Sequence, residues 1–281
     1  MRRTIVCIIP IYKKQLTETE EASLRQCFKV LKSYPLVFVT YPGLGLDYYY
    51  KFSRENGIIP IFEFFPSVFF TSVKGYNQLC LSPEFYVRFD KYEYMLIYQL
   101  DAWIFRDELQ KWASYGYDFI GAPWFAWDRR RGCLSKRRFI FPVGNGGFSL
   151  RRVKYCSGTI SKCLSSSPRH VRLLPWSRMI SLLLHRQFSV FKVLIRYHDL
   201  EAFYNAALSF EIAEDVFFAY QKYTCLGAKL PSVKVAMAFS FEQYPSVLYQ
   251  MNDGKLPCGC HAFERNEWNS FWKKYIPSSS S

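Results

Sequence analysis

The stretch Tyr94-Met-Leu-Ile-Tyr-Gln-Leu-Asp101-Ala-Trp-Ile-Phe105 decides how this chain is read. It is an apolar strand that ends on one carboxylate, with aromatic and apolar residues on both sides. A charge taken out of water costs on the order of several kcal/mol unless it is paired or bound to a cation. In an open α/β sheet, ligands bind in the crevice beyond the carboxyl ends of the strands. Asp101 is therefore a candidate metal or ligand residue. The same segment also fits an Asp that caps a helix beginning at Ala102, and alone it does not choose between the two.

Outward from this stretch, the chain alternates. Residues 4–11 read as a buried strand. Residues 17–32 read as a helix, with Thr17 as cap, Glu20 three residues on, and Ala22, Leu24, Phe28 and Leu31 at apolar positions. Leu36–Thr40 is the next strand, and Pro42-Gly-Leu-Gly45 turns the chain. A third strand is expected over 58–62 and a helix over 73–89, before the fourth strand ending at Asp101. Such alternation predicts an α/β fold with a mainly parallel sheet and helices on both faces. Further on, Tyr117 to Trp124 reads as a short strand entering a turn, and Phe141 to Leu150 as a glycine-rich strand start. No internal repeat is present.

Half of the 281 residues are hydrophobic and 19% are aromatic, which excludes a disordered chain. The first ten residues briefly resemble a secretory signal, but the apolar part is short, Pro10 breaks it, and charged residues follow. No stretch reaches the roughly 18 uncharged apolar residues of a spanning helix. The nine cysteines are scattered, which fits reduced thiols and a cytoplasmic location.

The net charge of +14 is concentrated. Between Arg129 and His198 stand sixteen Lys or Arg residues and no Asp or Glu, leaving 21 basic and 23 acidic residues elsewhere. The segment is either a solvated basic face or a contact for an anionic partner. Leu173 to Tyr197 mixes apolar residues with Arg172 before it and Arg178, Arg186, Lys192 and Arg196 within it. Such a segment suits an anionic membrane surface or a helical insertion packed on the domain. A nucleic-acid partner is not expected, because no recognition motif accompanies the charge.

Three further motifs carry chemistry. Gly144-Asn-Gly-Gly-Phe-Ser-Leu-Arg151 allows close backbone approach to a ligand, or simply a tight turn. It is neither a phosphate loop nor a dinucleotide fingerprint. Glu211, Glu214 and Asp215 share a face if helical, which suits general-base work or the first turn of a helix. Cys258-Gly-Cys260-His261 lacks a second ligand pair for structural zinc, whereas His261 can join a metal already held by a carboxylate. No nucleophile-elbow motif accompanies the four histidines.

Taken in order, Val6-Cys-Ile-Ile-Pro-Ile-Tyr12-Lys13, Glu21-Ala-Ser-Leu24, Tyr98-Gln-Leu-Asp101, Asp118-Phe-Ile-Gly-Ala-Pro-Trp124, Gly144-Asn-Gly-Gly-Phe148, Glu214-Asp215-Val-Phe-Phe218 and Gly259-Cys-His261-Ala-Phe263 run across nearly the whole chain. The set resembles glycosyltransferases of the GT-A arrangement, and in particular the DUF5672 family of bacterial proteins found in surface-polysaccharide gene clusters. The resemblance implies a single GT-A-like, Rossmann-like α/β domain over 1–277. It would hold a nucleotide-binding half (1–128), a basic insertion that suits a membrane-proximal place (129–198) and an acceptor and catalytic half (199–277), before a disordered tail at 278–281.

It further implies a nucleotide-sugar donor over the end of the first strand, with Pro10, Tyr12 and Lys13 lining its pocket. Where such enzymes carry Asp-x-Asp, this chain has Gln99-Leu-Asp101, a departure that also fits a membrane-associated binding protein of the same fold without catalysis. Asp101 matches the metal-binding position and Gln99 a donor contact, and His261 matches a histidine that completes the shell of Mn²⁺ or Mg²⁺. Asp215 matches the base of inverting relatives, with Glu214 beside it. Asn145, Gly146 and Gly147 would face donor sugar and acceptor. Trp124 and Trp127 would stack on sugar rings or lie in the core. The implied acceptor is a glycan or a lipid-diphosphate-linked sugar, reached from the inner face of an anionic membrane.

Overall fold

A computed structural model of the chain describes residues 3–128, 133–141, 144–165, 180, 188–197 and 199–277. The basic loop at 129–132, most of the Leu173–Tyr197 segment and the 278–281 tail lie outside the described residues. The strands are β1 (Ile5–Pro10), β2 (Leu36–Thr40), β3 (Ile61–Phe64), β4 (Tyr94–Tyr98), β5 (Trp103–Ile104), β6 (Phe119–Ile120), β7 (Trp124–Asp128), β8 (Cys133–Phe141), β9 (Phe148–Arg152), β10 (Ser240–Phe241) and β11 (Gly259–Cys260).

Six of them form one sheet in the order β3-β2-β1-β4-β9-β6. The first four strands in that order run parallel, and β9 lies antiparallel between β4 and β6. Every residue of β1, β2 and β4 is buried, as strands covered on both faces must be. This is the mixed α/β architecture expected from the alternating sequence. A three-stranded sheet, β10-β11-β5, sits beyond the turn at Asp101, and β7 and β8 form an antiparallel hairpin. The large sheet and its helices bury one hydrophobic core. A second cluster, including Trp103, Phe241, Phe263 and Trp272, packs the small sheet.

The first helix, Glu18–Leu31, has the expected capping box: Thr17 Oγ1 accepts from the Glu20 N–H at 3.3 Å, and Glu20 Oε2 accepts from the Thr17 N–H at 2.9 Å. Other expectations are corrected. The third strand spans Ile61–Phe64 and not 58–62, because Pro60 has no N–H to offer, and pairing with β2 begins at Ile61. The helix expected over 73–89 is two, Val73–Cys80 and Pro83–Val87. Pro83 disfavours helical geometry at Ser82, whose hydroxyl instead caps the second helix. A helix at Asp47–Glu55, burying Tyr49 and Phe52, was not foreseen among its polar and aromatic residues.

The decisive stretch is also refined. β4 stops at Tyr98, and Asp101 lies in a tight turn closed by the Ala102 N–H to Gln99 carbonyl bond at 2.9 Å. A strand follows, not a helix, so Asp101 caps nothing. The Ser23 hydroxyl from the first helix donates to the Ala102 carbonyl at 2.6 Å, and the Tyr98 hydroxyl reaches the same oxygen at 3.2 Å. These bonds hold the turn rigidly at the carboxyl edge of the sheet.

Candidate active site

His261 meets Asp101 across the small sheet. Cys260 pairs with Trp103 in the β11–β5 register, which brings the residues flanking that pair together. Its Nε2 lies 3.0 Å from Asp101 Oδ1 and 3.1 Å from Gln99 Oε1. On the other side of the ring, Nδ1 is 3.5 Å from Glu242 Oε1. Burial by itself would lower the imidazole pKa, but Asp101 and Glu242 outweigh it and push it up to about 9. Burial likewise works to raise Asp101, yet His261 and then Arg265, with Nη2 4.0 Å away, hold that carboxyl below its ordinary value.

The glycine loop forms the floor between the two halves of the site. Asn145 Oδ1 accepts from the Gly147 N–H at 2.8 Å, and its Nδ2 donates to Glu242 Oε1 at 3.0 Å. The Gly147 carbonyl accepts from the Gln99 N–H at 2.9 Å. A Cβ at Gly147 would run into His261 and Gln99, and one at Gly146 into Glu214 and Arg151. The glycines are thus required by side chains packed on them from both sides, and Gly147 lies in a turn.

On the far side of the loop, the helix Glu214–Tyr220 presents the acidic pair. Arg151, fully buried on β9, donates Nη1 to Glu214 Oε2 and Nη2 to Glu214 Oε1, each at 2.9 Å. Both oxygens of Glu214 are therefore engaged by one guanidinium. Asp215 accepts from the Gly146 N–H at 2.9 Å and from the Val216 N–H at 2.7 Å. Burial, and next the charge of Glu214, raise its pKa from 3.8 to about 7. Glu211 does not share this face. It precedes the helix and bonds the Tyr197 hydroxyl at 3.1 Å and Arg196 at 3.4 Å.

β1 runs parallel to β4, so Pro10, Tyr12 and Lys13 emerge beside Gln99 and Asp101. Pro10 is buried, while Tyr12 is 55% exposed. Lys13 Nζ bonds Glu20 Oε1 at 2.6 Å, and that bond first, with help from Asp101, raises its pKa against the effect of burial. Trp124 is half-buried and its ring lies against Gly144, whereas the Trp127 side chain lies outside the described residues. Cys258 and Cys260 are buried, and burial pushes the Cys258 thiol up to about 12, so neither is a ready thiolate ligand.

Among the described residues no group of three or more His, Cys, Asp and Glu is arranged to hold a metal ion. Two protein ligands suffice for a cation that also takes phosphate oxygens and water. Asp101 Oδ1 and His261 Nε2 now pair with each other at 3.0 Å, and the same two atoms would be the ones to hold a cation in place of the proton between them. With Gln99 alongside, the oxygen and nitrogen donors suit Mg²⁺ or Mn²⁺. The proton and the cation compete for Nε2.

Sequence reading did not find Glu242, or the role of Arg151. Glu242 did leave a signal, since the short strand Ser240–Phe241 ends on it as β4 runs out toward Asp101. Nothing in the local sequence marks Arg151, whose partner is 63 positions away.

Fold and site together describe an α/β protein with carboxylates, a histidine and a glycine loop gathered at the carboxyl edge of its sheet. Residues 61–261 match the family described as "Protein of unknown function (DUF5672)", and the chain belongs to that family. No curated protein matches it. Among solved structures it is similar to core-mannan synthase A from Aspergillus fumigatus in its Mn/GDP form. Identity is 13%, over 84% of this chain and 72% of that chain, with a TM-score of 0.42. A cytidylyltransferase from Leptospira borgpetersenii is similar at 9% identity, over 57% of this chain and 64% of that one, with a TM-score of 0.32.

Proposed function

We propose that this protein is a glycosyltransferase that moves a sugar from a nucleotide-sugar donor to a glycan or lipid-linked acceptor in bacterial surface-polysaccharide synthesis, with inversion. One observation carries the reading. The Asp101–His261 pair and the desolvated Asp215 stand on opposite sides of the two-residue step Gly146-Gly147. That arrangement suits a reaction in which a leaving group is bound on one side and an acceptor is deprotonated on the other.

In this reading Asp215 takes the proton of the acceptor hydroxyl. Its pKa of about 7 lets it hold that proton and still be ionised in a useful fraction of molecules. The Gly146 N–H and the helix N-terminus aim the carboxylate, and Arg151 and Glu214 brace both. Pro10, Tyr12 and Lys13 line the nucleotide, and Gln99 and Asn145 orient the sugar over the loop. Asp101 and His261 would hold a divalent cation, which when bound neutralises charge on the leaving diphosphate. Arg265, 80% exposed at the mouth, adds a positive charge there.

The acid-free run from Arg129 to His198, apart from the buried Arg151 and the paired Arg152 and Arg196, supports contact with an anionic membrane, at about 1 kcal/mol per basic residue near the surface. No helix among the described residues is long and apolar enough to cross a membrane. The test is a screen for hydrolysis of nucleotide sugars in the presence of Mn²⁺ or Mg²⁺, which requires no known acceptor. Release of nucleoside diphosphate from one donor supports the proposal. No hydrolysis and no thermal shift with any nucleoside diphosphate would overturn it.

A further inference from the structure

We propose that Glu242 is the positioning residue of this site, fixing the orientation of His261 and tying it to the glycine loop. The inference rests on the cation-binding reading of Asp101 and His261 given above. Glu242 follows β10, which pairs in parallel with β11, the strand that carries the chain into His261. The His261 N–H bonds the Phe241 carbonyl at 2.9 Å, so the backbones of the two residues are locked together. From that anchor one carboxylate oxygen serves two partners: Oε1 accepts from Asn145 Nδ2 at 3.0 Å and lies 3.5 Å from His261 Nδ1.

Two buried polar atoms at this contact have no hydrogen bond among the described residues, Glu242 Oε2 and His261 Nδ1. Such atoms are costly when left unpaired, and a shift of a few tenths of an ångström brings the imidazole N–H within reach of the carboxylate. When a cation replaces the proton on Nε2, that bond would keep the remaining proton on Nδ1 and leave the Nε2 lone pair for the cation beside Asp101 and Gln99. A carboxylate behind a ligating imidazole has this effect generally: it fixes the tautomer and the ring orientation and raises the basicity of the ligand. Through Asn145, the same carboxylate couples the ring to the Gly146-Gly147 step on which Asp215 is aimed. No other described acidic residue contacts Nδ1 in this way; Asp101 lies on the opposite edge of the ring.

The experiment is Mn²⁺ binding by the full chain, read from the electron paramagnetic resonance signal of free Mn²⁺ without any sugar substrate. Glu242→Gln keeps the shape and removes the charge, and weakens Mn²⁺ binding by about 10- to 100-fold. Glu264→Gln removes an equal charge from the exposed loop nearby and leaves the affinity within about twofold, because exposed charges at that range are screened. Equal affinity of wild type and Glu242→Gln overturns the proposal while leaving the cation reading intact. Absence of Mn²⁺ binding by the wild type overturns the cation reading itself. Nitrogen-15 spectra of the wild-type histidine ring with Mg²⁺ give a test independent of any variant. Nδ1 protonated and Nε2 bare of a proton is the expected signature, and the reverse tautomer overturns the proposal.

Discussion

Arg151 and Glu214 form a two-pronged ion pair, 2.9 Å on each prong, with the arginine side chain wholly buried and the carboxylate 7% exposed. The pair connects the middle of β9 to the first turn of the helix that carries Asp215. Breaking such a pair from one side strands the other charge, at about 3–5 kcal/mol. Arg151→Met should therefore lower unfolding stability in urea by roughly that amount. A loss below about 1 kcal/mol would show that the pair is not holding the acidic helix in register.

Asp215 gives a pH dependence of known sign. Its pKa in the folded protein is raised from 3.8 to about 7, so folding favours the neutral acid. That contribution to stability is complete below pH about 4 and is lost as pH rises through about 7. Activity runs the opposite way, because a base must be ionised: donor transfer should rise across pH 6 to 8 and level off above. Asp215→Asn should lose about 10²- to 10⁴-fold in kcat and flatten this limb of the profile. A profile that keeps its shape in Asp215→Asn would assign the base elsewhere.

Asp101→Ala removes the only carboxylate among the described residues within 4.0 Å of His261 Nε2. Metal-stimulated hydrolysis of the donor should drop by at least about 100-fold, since charge on the leaving diphosphate would lose its counterion's anchor. Measured with and without Mn²⁺, the residual rate should no longer respond to the ion. Undiminished, metal-responsive turnover would refute the assignment of Asp101.

Two glycines separate packing from flexibility. A methyl at Gly147 meets His261 and Gln99 at once, so Gly147→Ala should lower stability by about 1–3 kcal/mol and reduce activity with it. Gly158, inside the helix Val153–Ser165, faces open space. Gly158→Ala should stabilise the protein by about 0.5–1 kcal/mol and leave activity unchanged. Paired thermal melts and hydrolysis assays decide the matter, and equal behaviour of the two variants would contradict the packing described.

Local rules were legible where neighbours in sequence decide the outcome. The buried strands β1, β2 and β4, the Thr17–Glu20 capping box and the order of the candidate residues all follow from patterns a few positions long. Local rules also explain two misreadings after the fact, since Pro60 and Pro83 each moved a boundary through a missing N–H or a steric restriction on the preceding residue.

By itself the sequence determined an α/β chain whose apolar strands converge on Asp101, and a basic stretch kept apart from a near-neutral remainder. Only the tertiary structure decided what surrounds each carboxylate. Glu214 and Asp215 are adjacent and chemically alike, yet Arg151 engages both oxygens of one while burial raises the pKa of the other. Asp101 meets His261 across 160 positions because β5 pairs with β11, and Glu242 joins them through β10. Burial and pairing between distant strands set these charges, and a linear pattern holds neither quantity.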